Sequence, residues 1–172
     1  MTEPNENTKS VVERATFLRG KYLTSYAQVE FVLGDIWLCC QAIPEYAGHL
    51  PERFPSPLNQ RLSIIRKIFT LDGPLSPYAE EIGQLAEGIT HFSQFRHFMA
   101  HAMLRVVASP TNHRLDYILH STDPQAAVKT GEIRTNLDEL GYAAGMVTEY
   151  AHEMMTACKR MYIETGMKPP VY

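Results

Sequence analysis

Three cysteines among 172 residues are too few for a disulfide framework, and no Cys-x-x-Cys pair is present to suggest zinc or a redox motif. Cys39 and Cys40 are adjacent and Cys158 is distant, so the expectation is three reduced, structural thiols. Long apolar runs are missing as well. Phe31-Val32-Leu33 is typical of the longest, far short of the roughly 20 residues that cross a bilayer. The start, Met1 to Ser10, is polar and acidic, without the basic and apolar stretches of a signal peptide. The resulting expectation is a soluble, cytoplasmic chain without membrane contact. Basic charge is also scarce: 16 Lys and Arg stand against 19 Asp and Glu, a net charge of −3. That argues against strong, sequence-blind DNA binding, which rests on neutralising phosphates, but leaves room for a local basic groove. No Gly-rich phosphate loop, Gly-x-Ser-x-Gly or paired Cys-His arrangement occurs, so NTPase, hydrolase and thiol-enzyme classes lack support.

What the chain does contain is helical periodicity. Hydrophobic residues make up 45% and charged residues 20%, as in a globular domain, and no internal repeat is visible. After a disordered tail at 1–8, Ala15, Leu18, Tyr22, Tyr26, Val29, Leu33 and Ile36 recur at three- and four-residue steps, predicting a helix from about Lys9 to Gln41. Pro44, Pro51 and Pro55 mark a loop in which helix is not expected. Ser56-Pro57 and Ser76-Pro77 carry the signature of a serine cap with proline at the first helical position. They predict helices over Leu58–Thr70 and from Ser76 to about Leu104, joined by a turn at Asp72-Gly73-Pro74. Arg105 to Ala108, a turn at Pro110-Thr111-Asn112 and Leu115 to Leu119 read as a β-hairpin, with a third strand near Glu132-Ile133-Arg134. Thr135 and Asp138 form a capping-box-like start to a last helix, Leu137 to Glu164, which Gly166 and Pro169-Pro170 end. The expected fold is all-α. It is a four-helix bundle forming one domain over 9–166, with a small β-insertion at about 105–134 before the last helix and a C-terminal tail at 167–172.

Two charges fall where the helical stripes should be apolar. At about 100° per residue, Arg96 lies roughly 20° from Ile89, and Glu30 roughly 40° from Tyr26. An unpaired buried charge costs several kcal/mol, so the economical expectation is that Glu30 and Arg96 face each other or line one wet pocket. The bland counterpart is an ion pair that only fixes helix register.

Arg96 opens the segment Arg96-His97-Phe98-Met99-Ala100-His101, an Arg-x4-His motif with Ala before the His. The segment and the helical outline resemble the HEPN superfamily (higher eukaryotes and prokaryotes nucleotide-binding domain). Its motif is Arg, four to six residues, then His; His97 stands where Asn or Asp is more usual. The resemblance implies a metal-independent endoribonuclease with a toxin–antitoxin or defence role, its site formed between two protomers of a homodimer, with RNA as substrate and an antitoxin as partner. It equally implies the other role of such domains, a non-catalytic binding or assembly module. The chemistry suits the residue types. Attack by an RNA 2′-hydroxyl needs a group near neutral pKa, which imidazole supplies, and fixed positive charge on the phosphate, which guanidinium supplies. His101 is therefore assigned as general base or acid and Arg96 as phosphate stabiliser; His97 would position substrate and Glu30 would orient Arg96. Arg96 and His101 lie about 140° apart around a straight helix, so convergence on one phosphate needs a dimer, a bend or fraying.

The remaining candidates are weaker. Arg61, Arg66 and Lys67 in one basic stretch, with Arg105, Arg114 and Arg134 near the insertion, are where phosphate contacts would be sought. A solvated helix face is the default reading of that stretch. His97 and His101 also have the i, i+4 spacing at which two imidazoles share a metal, but a bundle metal site draws several carboxylates from facing helices, and neither metal nor cofactor is expected. Trp37 with Tyr22, Tyr26 and Phe31 is read as aromatic core before base-stacking platform, and the methionines, Met103 and Met146 among them, as core filling.

Overall fold

The computed structural model describes residues 6–107, 109, 113–120 and 130–168, with the side chains of 6 and 7 left aside. The helices are α1 (Glu6–Cys40), α2 (Pro44–Ala47), α3 (Leu58–Thr70), α4 (Ala79–Gly88), α5 (Thr90–His101) and α6 (Leu137–Thr165). A 3₁₀ turn at Ser76–Tyr78 precedes α4, and the strands β1 (Met103–Val107), β2 (Arg114–His120) and β3 (Thr130–Thr135) separate α5 from α6. The described chain is mostly helical with one small three-stranded antiparallel sheet. Two compact units divide it: residues 1–26 with 92–149, and residues 27–91 with 150–172.

In the first unit, α1 and α6 run parallel. A Cβ on Gly141 would sit 3.9 Å from the Leu18 side chain, and seven residues further along each helix Ser25 Oγ meets Thr148 Oγ1 at 2.9 Å. α5 runs against α1: Arg19 donates to the carbonyl of Met99, and the Tyr22 hydroxyl donates to the carbonyl of Phe92 at 2.9 Å. The sheet is a meander in the order β1-β2-β3, with Arg105 opposite Asp116 and Asp116 opposite Arg134. Leu115 and Tyr117 on β2 are fully buried, and Phe98 lies so close to Gly131 that a Cβ there would approach its ring to 3.1 Å. Packing on α5 supplies the apolar backing that a small ribbon needs.

In the second unit, α6 runs against α4, as Tyr150 donates to the Leu85 carbonyl, Arg160 pairs with Glu81 and Tyr78 donates to Glu164 Oε2 at 2.5 Å. Its core holds Val29, Leu33, Ile36, Ile65, Ile68, Ile82, Met154 and Met161, each at most 1% exposed. The three cysteines are free and buried, and burial pushes the thiols of Cys40 and Cys158 up to about 12.

Several local expectations are corrected. Residues 6–8, assigned to a tail, already belong to α1, while 1–5 and the turn at 110–112 lie outside the described residues. The helix expected from Ser76 to Leu104 is a 3₁₀ turn followed by two helices that break at Ile89, and it stops at His101 because Met103 and Leu104 have joined β1. Neither serine caps its helix: the caps are Pro57 and Leu75, without side-chain hydrogen bonds, and Ser76 Oγ instead donates to the Gly73 carbonyl at 2.9 Å. The capping box of α6 is shifted by one residue. Asn136 Oδ1 accepts the Glu139 N–H at 2.9 Å, and Thr135 donates to Glu139 Oε2 at 3.0 Å. Met103 and Met146 are not core, being 60% and 42% exposed.

The proline-rich loop also contains a helical turn that was not expected, and it carries a core residue. Tyr46 on α2 is 0% exposed, and its hydroxyl accepts the Leu75 N–H at 2.8 Å. Gly73 has no Cβ because one would stand 2.5 Å from that hydroxyl oxygen. Tyr46→Phe strands the buried Leu75 N–H, which costs about 1–3 kcal/mol. Urea denaturation should show a lower midpoint with an unchanged slope.

Candidate functional site

α5 is one uninterrupted helix from Thr90 to His101, so Arg96 and His101 keep the roughly 140° separation of ideal geometry. The two sides of the helix have different surroundings. Arg96 is half-buried, with its guanidinium carbon 5.5 Å from the centroid of the Tyr26 ring. That ring is 3% exposed, so a cation there exchanges water for a π face. His97 and His101 are exposed on the other side with ring centroids 5.1 Å apart, and Phe98 meets His97 edge-on. His101 is the last residue of α5.

Arg19 fixes that end of the helix. It donates to the Met99 carbonyl and lies with its guanidinium carbon 6.0 Å from the Tyr117 ring. Burial pushes the Tyr117 hydroxyl above its usual range, and that oxygen finds no hydrogen-bond partner among the described residues. Sequence reading missed Arg19, although a cation two turns before the stripe residue Tyr26 was a usable signal.

Glu30 belongs to the other unit, where it accepts from Arg61 at 3.3 Å. Arg61 also donates to the Pro55 carbonyl at 2.7 Å and lies with its guanidinium carbon 5.4 Å from the Phe54 ring, which stacks on Trp37. The other nominated phosphate contacts are likewise engaged. Arg66 pairs with Glu87 at 2.6 Å beside a cavity of about 630 Å³ lined by Ile65, Phe69 and Gly83, and Lys67 donates to the His49 carbonyl at 2.8 Å. Tyr22 and Tyr26 are core, as expected of an aromatic stripe, whereas Phe31 is 53% exposed.

Arg105 and Arg114 converge on one carboxylate. Asp116 is 0% exposed, although its cross-strand neighbours Arg105 and Arg134 are charged. Arg105 reaches it at 2.7 and 3.1 Å and Arg114 at 2.8 and 3.2 Å. Glu132 extends the network, accepting from Arg105 at 3.3 Å and from Arg134 at 3.0 Å. Each of the three arginines keeps about half of its side chain or more in water. Asp116 and Glu132 escaped sequence reading because only strand register brings them between the arginines.

No set of three His, Cys, Asp or Glu side chains among the described residues is placed to hold a metal ion. A Glu-x-x-His spacing on α6, Glu149 to His152, which sequence reading passed over, consists of two exposed side chains and joins no such set. No helix among the described residues is long and apolar enough to cross a membrane. No family model, curated protein or solved structure matches this chain.

The Arg114 hydrogen bonds, opposed by burial and helped by Arg105, hold the Asp116 carboxyl below the usual aspartate range. A lowered folded-state pKa contributes stability that is present above the unfolded value near 4 and is lost as pH falls through the lowered value. Asp116→Asn should therefore be less stable than wild type by about 1–3 kcal/mol at pH 7. The gap should close below pH 4, which denaturation at a series of pH values would show.

Proposed function

We propose that the chain is a metal-independent ribonuclease of HEPN type, an α-helical bundle whose composite site takes Arg96 from one protomer and His101 from another. The carrying observation is the division of labour on α5: a half-buried guanidinium seated on the Tyr26 ring, and two imidazoles in open water on another side of the same helix. A cation whose aliphatic stem is packed is pre-positioned for a phosphate and its developing charge. An exposed imidazole can exchange protons with solvent between turnovers. In this reading His101 takes the proton from the 2′-hydroxyl or gives one to the leaving 5′-oxygen, Arg96 neutralises the pentacoordinate phosphate, and His97 positions the strand.

The separation of Arg96 and His101 around an unbroken helix supports a site shared between copies, since a two-fold axis brings the missing partner from the other chain. One observation favours the alternative, a non-catalytic binding module. Arg61, Arg66, Lys67, Arg105 and Arg114 all have intramolecular partners, so binding RNA through them means exchanging those partners for phosphates.

The test is cleavage of single-stranded and hairpin RNA with and without EDTA. Cleavage that survives chelation, leaves 2′,3′-cyclic phosphate ends and falls at least about 100-fold in Arg96→Ala and in His101→Ala supports the nuclease. Mixing the two inactive variants should restore about a quarter of wild-type activity, because only half of the random dimers rebuild one of their two sites. An intact, folded protein that cleaves none of these RNAs supports the module.

A further inference from the structure

Among the described residues, the first unit exposes large apolar side chains along α1 and α6. Phe17 on α1 is 59% exposed, and Tyr142 and Met146 on α6 are 72% and 42% exposed. All three sit on one flank of the parallel α1/α6 pair. Phe17 comes one step before Leu18, which faces α6, and Tyr142 one step after Gly141, which faces α1. Opposite rotations of about 100° on two facing parallel helices lead to the same side. The same geometry puts Met146 about 140° round from Gly141.

Charge divides this flank into halves. On α1, Arg14 and Lys21 lie about 40° and 60° from Leu18 in the direction of Phe17, with Glu13 further round at about 140°. Arg14 holds its guanidinium carbon 5.3 Å from the Phe17 ring centroid. On α6, Asp138 and Glu149 lie about 60° and 80° from Gly141 in the direction of Tyr142. All five charged residues are exposed. One half is thus basic and aromatic, and the other is acidic with an aromatic ring and a thioether.

We infer that this flank binds a second copy of the chain. A two-fold axis running along the helices lays each α1 over the partner's α6. Such an interface requires one half of the patch to complement the other, whereas a different partner would require no such internal match. The contact pairs Leu18–Gly141 and Ser25–Thr148 share one sequence offset, which sets the levels. Arg14 comes within one residue of the level of the partner's Asp138, Phe17 stacks towards the partner's Tyr142, and Lys21 extends towards the partner's Glu149. Gly145, at about 40° from Gly141, leaves room beside Met146 for the incoming ring. Aromatic and methionine anchors inside a charged rim are the usual composition of such a contact.

The inference does not rest on the nuclease reading. Arg19, Tyr22 and Tyr26, which reach α5, leave α1 on its opposite side, about 40° to 100° from Leu18. The histidine face of α5 therefore stays free, and a composite site there would need a second, separate contact.

The test is molar mass by light scattering and dissociation by analytical ultracentrifugation, with circular dichroism to confirm folding. Wild type should dimerise, and Phe17→Glu and Tyr142→Glu should each weaken the dimer at least about 30-fold. Two charge-reversed chains, Arg14→Glu/Lys21→Glu and Asp138→Lys/Glu149→Lys, should each associate at least about 30-fold more weakly alone and pair with each other when mixed. A wild-type monomer at every concentration would overturn the inference. So would a dimer indifferent to Phe17→Glu, which would place the contact elsewhere, and so would charge-reversed chains that fail to pair. RNA cleavage plays no part in these readouts, and a dimer indifferent to Phe17→Glu would remove this contact while leaving the site on α5 standing.

Discussion

Taking a cation out of water obliges a protein to replace its hydration shell, and this chain does so repeatedly with aromatic faces and carbonyl oxygens. Arg96 lies over Tyr26, Arg61 over Phe54 and Arg19 over Tyr117, and the last two also donate to the Pro55 and Met99 carbonyls. Guanidinium suits the role because it is planar, weakly hydrated and always charged. An ammonium in the same places would keep the charge but lose the flat face and the fork. The position of α5 depends on this arrangement. Arg19 and Tyr22 both reach its backbone carbonyls, so the helix that carries the motif is gripped at Phe92 and Met99 by side chains of α1.

The sheet solves the same problem differently. Asp116 is a carboxylate withdrawn from water on a face that otherwise carries charge, and two guanidinium groups cover it. Because those arginines remain half in water, little of the desolvation cost falls on them, and most of it falls on the carboxylate they surround. The network ties all three strands together through Arg105, Asp116, Glu132 and Arg134. A small sheet with one face on α5 gains from such cross-strand pairs what it lacks in area.

Much of the helical content was legible because periodicity is a property of many residues at once. α1, α3 and α6 lie close to their predicted bounds, and the residues of the α1 stripe from Ala15 to Ile36 are buried. What failed was decided by single contacts. A break at Ile89 follows Gly88, a residue against which the Tyr150 ring packs so closely that a Cβ would come within 3.1 Å, and no local pattern reveals a partner 62 positions away. Tyr46 was hidden for the same reason, since its value lies in a hydrogen bond to Leu75 across a turn. The capping box of α6 was inferred from residue type at Thr135 and Asp138, yet Asn136 and Glu139 form it, because only backbone geometry decides which side-chain oxygen meets a free N–H.

For the candidate site, the stripe argument put Arg96 among apolar positions of its helix, and it could not say that the Tyr26 ring would lie against the guanidinium. The methionines show where composition misleads most. Met99 and Met146 have the same side chain and similar apolar spacing, but one is fully buried and the other lies in the open flank of α6. The difference is whether a neighbouring element exists to cover the residue. A sequence lists the apolar positions of a helix without saying how many of its faces the rest of the chain can reach. In the first unit α1 is met by α5 on one flank and by α6 at Leu18 and Ser25, which leaves Phe17 to the solvent or to another molecule. Uncovered aromatic surface with oppositely charged halves is costly to leave in water and specific in what it accepts, so the excess of apolar positions over available cover points to association.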